Sequence, residues 1–142
     1  VPAAWAEWAE VASFPHLLRS LGTGRWRHFA DVATTGEEIS LERPFYPYRT
    51  GPKGTVRRAH LTERLGLDWD DLHRRCDRAT AHHRAACPLF WTLGANQVGK
   101  GALAGWALLA AEDPDRTVLW PFAGPLDALL TLKELKDLLE RS

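Results

Sequence analysis

The sequence predicts a mainly α-helical protein with one or two short β-strands. Apolar residues recur at helical spacing along most of the chain, and glycine and proline separate these stretches at short intervals. Residues 117–120 alone combine β-branched and aromatic side chains in the manner of a clear strand. The 142 residues, 45% hydrophobic and 25% charged, fit one globular domain over residues 1–142 and exclude disorder of the whole chain.

Short helices are predicted at the start of the chain. Residues 3–12 carry apolar side chains at helical spacing. Ser13 is typical of an N-cap for a second helix, which Gly22 ends. Residues 25–32 predict one or two further helical turns, and Thr35, followed by acidic residues, indicates another helix start.

The segment 43–54 is predicted to be an extended loop. It holds three prolines and two glycines, with Phe45, Tyr46 and Tyr48 between them. Proline fixes φ and removes a backbone donor, so neither a helix nor a strand is expected. We expect the aromatic side chains to anchor this loop to the body of the domain.

Two longer helices are predicted next. Residues 56–65 form an apolar pattern that is closed by Gly66. Asp68 is predicted to cap a helix that runs to about Ala86, before Pro88 stops it.

The last third mixes both kinds of element. Residues 89–93 fit either a strand or a helix, and residues 102–111 predict a helix. The strand at 117–120 needs a partner, which is either 89–93 or a strand from a missing part of a longer chain. Residues 126–139 predict an amphipathic helix with a wide leucine stripe. The predicted core consists of large apolar side chains: Trp5, Phe29, Trp91, Trp106, Leu119 and Trp120.

Charge and composition exclude several classes of protein. The 18 basic and 18 acidic side chains balance, which excludes a wholly basic protein that wraps nucleic acid. Residues 43–84 nevertheless carry ten basic and five acidic side chains, so this middle is either internally compensated or faces an anionic partner. The sequence contains no apolar run of about 18 residues, so no membrane span is predicted. With no signal peptide and two cysteines, we expect a soluble, cytoplasmic protein.

Residues 94–101 match the phosphate-loop pattern G-x-x-x-x-G-K-[ST] at every fixed position except the last. In such a loop, backbone N–H groups and a lysine, here Lys100, bind phosphate. Gly101 lacks the hydroxyl that binds Mg²⁺, and residues 117–120 do not end in the aspartate that completes the metal site. The alternative is a glycine-bounded helix start with one exposed lysine.

Side chains of metal-ligand type are concentrated in one region: His73, Cys76, His82, His83 and Cys87. On one continuous helix the first and last would lie about 21 Å apart, so a shared tetrahedral ion would require a break near residues 80–82. The sequence favours two small buried thiols and solvated histidines on a basic helix, and no metal site is predicted.

The same region holds a group of arginines: Arg74, Arg75, Arg78 and Arg84. On a helix, Arg74 and Arg78 would project together and could contact phosphates. The alternative is that these arginines pair with Asp70, Asp71 and Asp77, which lie three or four residues away.

Several sequence blocks follow one another in a recognisable order. They are Arg-Pro-Phe-Tyr-Pro at 43–47, Arg-Cys-Asp at 75–77, Ala-Ala-Cys-Pro-Leu-Phe-Trp-Thr-Leu-Gly-Ala-Asn-Gln-Val-Gly-Lys at 85–100, and Leu-Trp-Pro-Phe-Ala-Gly at 119–124. In these blocks the chain resembles a bacterial family of predicted RNase-H-like nucleases of unknown function. The resemblance extends over roughly residues 1–130.

The resemblance implies an RNase-H-like α/β sheet with a helical insertion. It also implies hydrolysis of phosphodiesters by two divalent metal ions held on carboxylates of the sheet. The leading acidic strands of the family precede the position of Val1, and a further acidic strand is expected where this chain has residues 131–142. The chain therefore corresponds to the helical middle of the family without its sheet core. The absence of methionine fits a segment of a longer protein.

Three functional hypotheses follow. The first is a fragment or degenerate member of that nuclease family, without a complete two-metal site. No catalytic residue is predicted, and a divalent metal is expected only if nuclease activity is present. Its contacts to nucleic acid or phosphate would come from five residues: Arg75, Arg78, Asn96, Gln97 and Lys100. The second is a non-enzymatic interaction module in which 126–139 pairs with a second copy or a partner helix. The third is a small phosphate-loop protein that binds nucleotides.

Overall fold

The computed structural model describes residues 1–93 and 98–111. In these ranges the chain forms four α-helices: α1 (Ala3–Trp8), α2 (Phe14–Ser20), α3 (Ala59–Leu65) and α4 (Val98–Ala111). Four 3-10 helices accompany them: Gly24–Trp26, Gly36–Glu38, Asp70–Leu72 and Arg75–Asp77. Extended pairing in the described ranges is limited to isolated bridges. The prediction of a mainly α-helical protein is confirmed, while 117–120 and 126–139 lie outside the described residues.

Local backbone conformation and hydrogen bonds fix the end of α1 and the start of α2. Helix α1 ends four residues before the predicted boundary because Glu10 takes a left-handed conformation, with φ of 54°. The N–H of Val11 then donates to the carbonyl of Ala6 at 2.8 Å, as in a Schellman motif. Ser13 caps α2 as predicted, since its hydroxyl accepts a hydrogen bond from the N–H of His16 at 3.3 Å.

Aromatic rings from distant parts of the chain form the core. The ring of Phe29 lies at its centre, with centroid distances of 5.4 Å to Trp5, 5.6 Å to Phe45, 6.4 Å to Phe90 and 5.9 Å to Trp106. These distances lie in the range that aromatic pairs prefer. Burial of these rings holds α1, α4 and the loop segments between them in one core.

The predicted core residues that the structure describes are all buried: Trp5, Phe29, Trp91 and Trp106. The other two, Leu119 and Trp120, lie outside the described residues.

The proline-rich loop at 43–54 pairs with residues 89–93. The N–H of Tyr46 donates to the carbonyl of Phe90 at 2.9 Å, and the N–H of Thr92 donates to the carbonyl of Tyr46 at 3.0 Å. This is a parallel bridge at a single residue pair, Tyr46 and Trp91. Leu89 and Phe90 form a turn just before it, closed by the N–H of Trp91, which donates to the carbonyl of Pro88 at 3.0 Å. Residues 89–93 therefore form neither the strand nor the helix that the sequence allows. Phe45 and Tyr46 are buried as predicted, whereas Tyr48 is 56% exposed.

The helix predicted from Asp68 to Ala86 is wrong. In its place are two 3-10 helices, Asp70–Leu72 and Arg75–Asp77, followed by irregular chain. Side chains satisfy the backbone locally here and so compete with a helix. The carboxylate of Asp77 accepts from the N–H of Arg74 at 3.1 Å, and the hydroxyl of Thr80 accepts from the N–H groups of the two following histidines.

The remaining helices lie close to their predicted positions. Helix α3 begins at Ala59, later than predicted, and ends at Gly66, whose φ of 64° requires the left-handed region. Helix α4 contains the predicted 102–111 and begins earlier, at Val98. None of the helices in residues 1–93 and 98–111 is long and apolar enough to cross a membrane.

Candidate phosphate-contact site

The stretch 73–86, which we call the arginine segment, carries two of the five predicted contact residues, Arg75 and Arg78. It holds four arginines and three histidines against one aspartate. Because the stretch is not a helix, Arg74 and Arg78 do not share a helix face, and that expectation is wrong. The chain folds back on itself instead, since the N–H of Ala86 donates to the carbonyl of Asp77 at 2.8 Å.

Asp77 organises the first turn of the arginine segment. It is 3% exposed, and its two carboxylate oxygens accept from Nε and Nη2 of Arg74, both at 2.8 Å. Burial works to raise the pKa of Asp77, but the hydrogen bonds and charge of Arg74 outweigh it, and the pKa lies below its ordinary value. The hydrogen bonds from Arg74 to Asp77 in turn raise the pKa of Arg74. The charge of Arg74 and its Nε and Nη2 donors are therefore engaged by Asp77.

The other arginines of the segment differ from Arg74 in their surroundings. Arg75, Arg78 and Arg84 are exposed, and none of them forms an ion pair with an acidic residue of the described ranges. The predicted pairing with Asp77 thus applies to Arg74 and not to its neighbours. Exposed guanidinium groups of this kind retain their donors for a carboxylate or a phosphate.

A pocket of about 290 Å³ opens beside the arginine segment. Among the residues that the structure describes, five line it: Asp70, His73, Arg78, Ala79 and Ala85. His73 is 8% exposed, and its Nε2 lies 3.2 Å from the carbonyl of Ala86. The pocket lining thus combines the cation Arg78 with the carboxylate of Asp70 and the ring of His73.

Two aromatic contacts connect the pocket with Arg58, which precedes α3 in the chain. The guanidinium of Arg58 lies 4.7 Å from the ring centre of Trp69, in cation–π geometry. The Trp69 ring is in turn 6.4 Å from the ring of His73. Arg58, Trp69 and His73 therefore form a continuous row that ends at the pocket.

The other three predicted contact residues lie beyond this segment. Lys100 is exposed in the first turn of α4. No described contact joins Lys100 to Arg75 or Arg78. Arg75 begins the turn Arg75–Asp77, and Arg78 follows this turn directly. Asn96 and Gln97 lie outside the described residues.

Gly99, the second glycine of the phosphate-loop pattern, is buried where α4 packs on residues 89–92. A Cβ at this position would overlap the carbonyl oxygen of Leu89 and approach Cγ2 of Thr92 to 3.2 Å. A Cβ at Gly101, by contrast, would meet open space. Close packing accounts for Gly99 without a bound phosphate, and the phosphate-loop hypothesis stays a prediction.

The histidines and cysteines of the region are not gathered around one point. Among the described residues, no three side chains of His, Cys, Asp or Glu are grouped so that they could hold a metal ion. His73 contacts a backbone carbonyl through Nε2, and Nδ1 of His83 contacts the carbonyl of Arg84 at 3.1 Å. Both cysteines are free thiols, but Cys76 is exposed and Cys87 half-buried, so the expectation of two buried thiols is wrong. Of the histidines expected in solvent, His73 is buried.

Two features of the site were missed from the sequence. The selective neutralisation of Arg74 has a local signal, because Asp77 lies three positions later, but Arg75 also has an acidic neighbour at helical spacing, Asp71, four positions earlier. The row from Arg58 through Trp69 to His73 joins residues up to 15 positions apart and has no signal in hydrophobic spacing.

Comparisons with family models, with curated proteins and with solved structures find no match to this chain.

Proposed function

We propose that the arginine segment contacts the phosphate backbone of a nucleic acid through Arg75 and Arg78. The observation that carries the proposal is the contrast among neighbouring arginines. Arg74 is neutralised by Asp77, whereas Arg75 and Arg78 are exposed without an acidic partner in the described ranges. Guanidinium groups in this state neutralise phosphates and release the counterions condensed on them.

The proposal extends to the class of protein. The chain is a nucleic-acid-contacting piece or degenerate member of the RNase-H-like nuclease family that it resembles. The resembling block at 75–77 supports this, because it contains both Arg75 and the Asp77 that fixes the turn. Lys100, with Asn96 and Gln97 of the next block, is proposed as a further contact. Binding is the proposed activity.

The test is a salt titration of binding. A labelled nucleic acid is titrated with the 142-residue chain at several salt concentrations, and the affinity is fitted at each. Replacing Arg75 or Arg78 by alanine is expected to weaken binding and to reduce the slope of log K against log salt by about 1 per arginine. Arg27→Ala is the matched control, because Arg27 is also exposed and the substitution removes the same charge.

Two results would overturn the proposal. One is an absence of binding by the unmodified chain at low salt. The other is a slope that Arg75→Ala and Arg78→Ala leave unchanged, or that Arg27→Ala reduces equally. A cleavage assay with Mg²⁺ or Mn²⁺ against a chelator tests hydrolysis separately, because metal-dependent cleavage would show an active nuclease rather than a degenerate member.

A further inference from the structure

A second basic surface precedes the arginine segment. Residues 48–58, which we call the tyrosine loop, are exposed except for the half-buried Val56. The tyrosine loop contains no acidic residue and four basic ones: Arg49, Lys53, Arg57 and Arg58. Such a concentration of one sign of charge attracts an anionic partner.

The tip of the tyrosine loop is a compact turn that presents Lys53. The N–H of Thr55 donates to the carbonyl of Pro52 at 3.0 Å, and its hydroxyl donates to the same carbonyl at 2.7 Å. Gly54 has φ of 88°, a conformation that favours glycine. Gly51 packs so closely on the Thr55 hydroxyl that a Cβ there would overlap it. The hydrogen-bonded turn fixes the backbone on either side of the lysine.

Tyr48 is the exposed aromatic residue of the tyrosine loop. Its backbone N–H donates to the carbonyl of Ala33 at 2.8 Å, which fixes the start of the loop. Its side chain is not buried with Phe45 and Tyr46, and the residue remains 56% exposed. The guanidinium of Arg49 lies 5.5 Å from the ring centre and covers one face of the ring. The exposure of the residue leaves ring surface on which a planar group can stack.

We infer that Tyr48 stacks on an unpaired base and that the partner of this surface is a single-stranded nucleic acid. Cations alone would fit any polyanion, including duplex DNA. An exposed ring among cations adds a π-face, which binds the bases of a single strand but not those inside a duplex. Lys53 and Arg57 contact the adjoining phosphates. The inference rests on the proposed function and specifies its ligand.

The two basic surfaces are contiguous. Arg58, at the end of the tyrosine loop, lies on Trp69, which contacts His73 at the start of the arginine segment. The row Arg58, Trp69 and His73 is the path that the inference assigns to a single strand between Tyr48 and the arginine segment.

The experiment compares three ligands for each variant: a single-stranded oligonucleotide, the corresponding duplex, and heparin, a polyanion without bases. Tyr48→Ala is expected to weaken binding of the single strand about tenfold and to leave the duplex and heparin unchanged. Tyr48→Phe keeps the ring and is expected to bind as the unmodified chain does. Trp8→Ala is the matched control, because Trp8 is an exposed aromatic residue, 62% accessible, outside both basic surfaces.

An oligonucleotide with abasic sites tests the same stacking from the ligand side. It is expected to bind the unmodified chain about as weakly as the intact strand binds Tyr48→Ala. The inference is overturned if Tyr48→Ala affects no ligand, affects all three equally, or is matched by Trp8→Ala. Failure of the proposed function looks different, because then the unmodified chain binds none of the three ligands or Arg75→Ala and Arg78→Ala have no effect.

Discussion

Arg74 donates two hydrogen bonds of 2.8 Å to the carboxylate of Asp77, one from Nε and one from Nη2. The backbone N–H of Arg74 donates to the same carboxylate at 3.1 Å, which closes the turn Arg75–Asp77. This one relationship has two consequences. It makes a 3-10 turn where a helix was predicted, and it withdraws one arginine of the cluster from contact with a ligand.

The first prediction concerns Asp77→Asn, which removes the negative charge of the carboxylate that accepts these three hydrogen bonds. We expect it to reduce the free energy of unfolding by about 2 kcal/mol at neutral pH, because hydrogen bonds to a charged group in a buried position are lost. Urea denaturation of the 142-residue chain measures the change. Asp68→Asn, at an exposed position without a side-chain partner among the described residues, should change the stability by less than about 0.5 kcal/mol.

The pH dependence of Asp77 gives a second readout of the same pair. Its pKa in the folded chain is lowered, so its contribution to stability is present above the ordinary aspartate pKa of 3.8 and is lost as the pH falls through the lower folded value. The unmodified chain should lose more stability below pH 4 than Asp77→Asn does. Equal acid losses in the two proteins would contradict this account.

The second prediction separates a packing glycine from a phosphate-binding one. Gly99→Ala places a methyl group against the carbonyl of Leu89, and we expect a loss of about 1–3 kcal/mol in the free energy of unfolding. Gly101→Ala is the matched control in the same helix. It meets open space and should be neutral or stabilising by up to about 1 kcal/mol, because alanine has the higher helix propensity. Thermal or urea unfolding of both variants provides the comparison, and equal effects would contradict the packing explanation.

The parts of the fold that sequence predicts well are set by atoms close together in the chain. Ser13 accepts its hydrogen bond from a residue three positions away, and Gly66 ends α3 through its own φ. The helix predicted over 68–86 failed for a related reason. An arginine and an aspartate three apart suit the surface of a helix as well as the turn Arg75–Asp77, so spacing alone does not separate the two structures.

The same limit applies to the candidate site. Arg75 and Arg78 were predicted as contacts, and the structure leaves both exposed, but the sequence grouped Arg74 with them although Asp77 neutralises it. Tyr48 was expected to anchor its loop with Phe45 and Tyr46. Hydropathy does not distinguish these rings, because the difference depends on where residues 89–92 pair with the loop.

The third prediction concerns Tyr46, whose hydroxyl lies 2.8 Å from Nδ1 of His60. Burial raises the pKa of this phenol above its ordinary value of 10, although the backbone N–H of Arg57 works in the opposite direction. The chain has two tyrosines, so alkaline titration followed by tyrosinate absorbance should show a late component that Tyr46→Phe removes. Removal of the same component by Tyr48→Phe would contradict the assignment. Because the folded pKa is raised, stability should fall as the pH rises past 10.

The fourth prediction compares two tryptophans of α1. Trp5 is fully buried, with ring centroids 5.2 Å from Phe90 and 5.4 Å from Phe29, whereas Trp8 is 62% exposed. Trp5→Ala should reduce the free energy of unfolding by about 3–5 kcal/mol, because it leaves a cavity among rings that cannot close it. Trp8→Ala should cost less than about 0.5 kcal/mol.

Denaturant unfolding monitored by circular dichroism measures both tryptophan variants without relying on their fluorescence. If Trp5→Ala does not fold, Trp5→Phe provides the measurement. It keeps a ring at the centre of the core and removes an indole N–H that has no hydrogen-bond partner among the described residues. It should therefore cost less than Trp5→Ala, since the smaller cavity is offset in part by the loss of an unsatisfied buried donor. Equal losses in Trp5→Phe and Trp8→Ala would show that the cluster around Phe29 does not hold α1 in place.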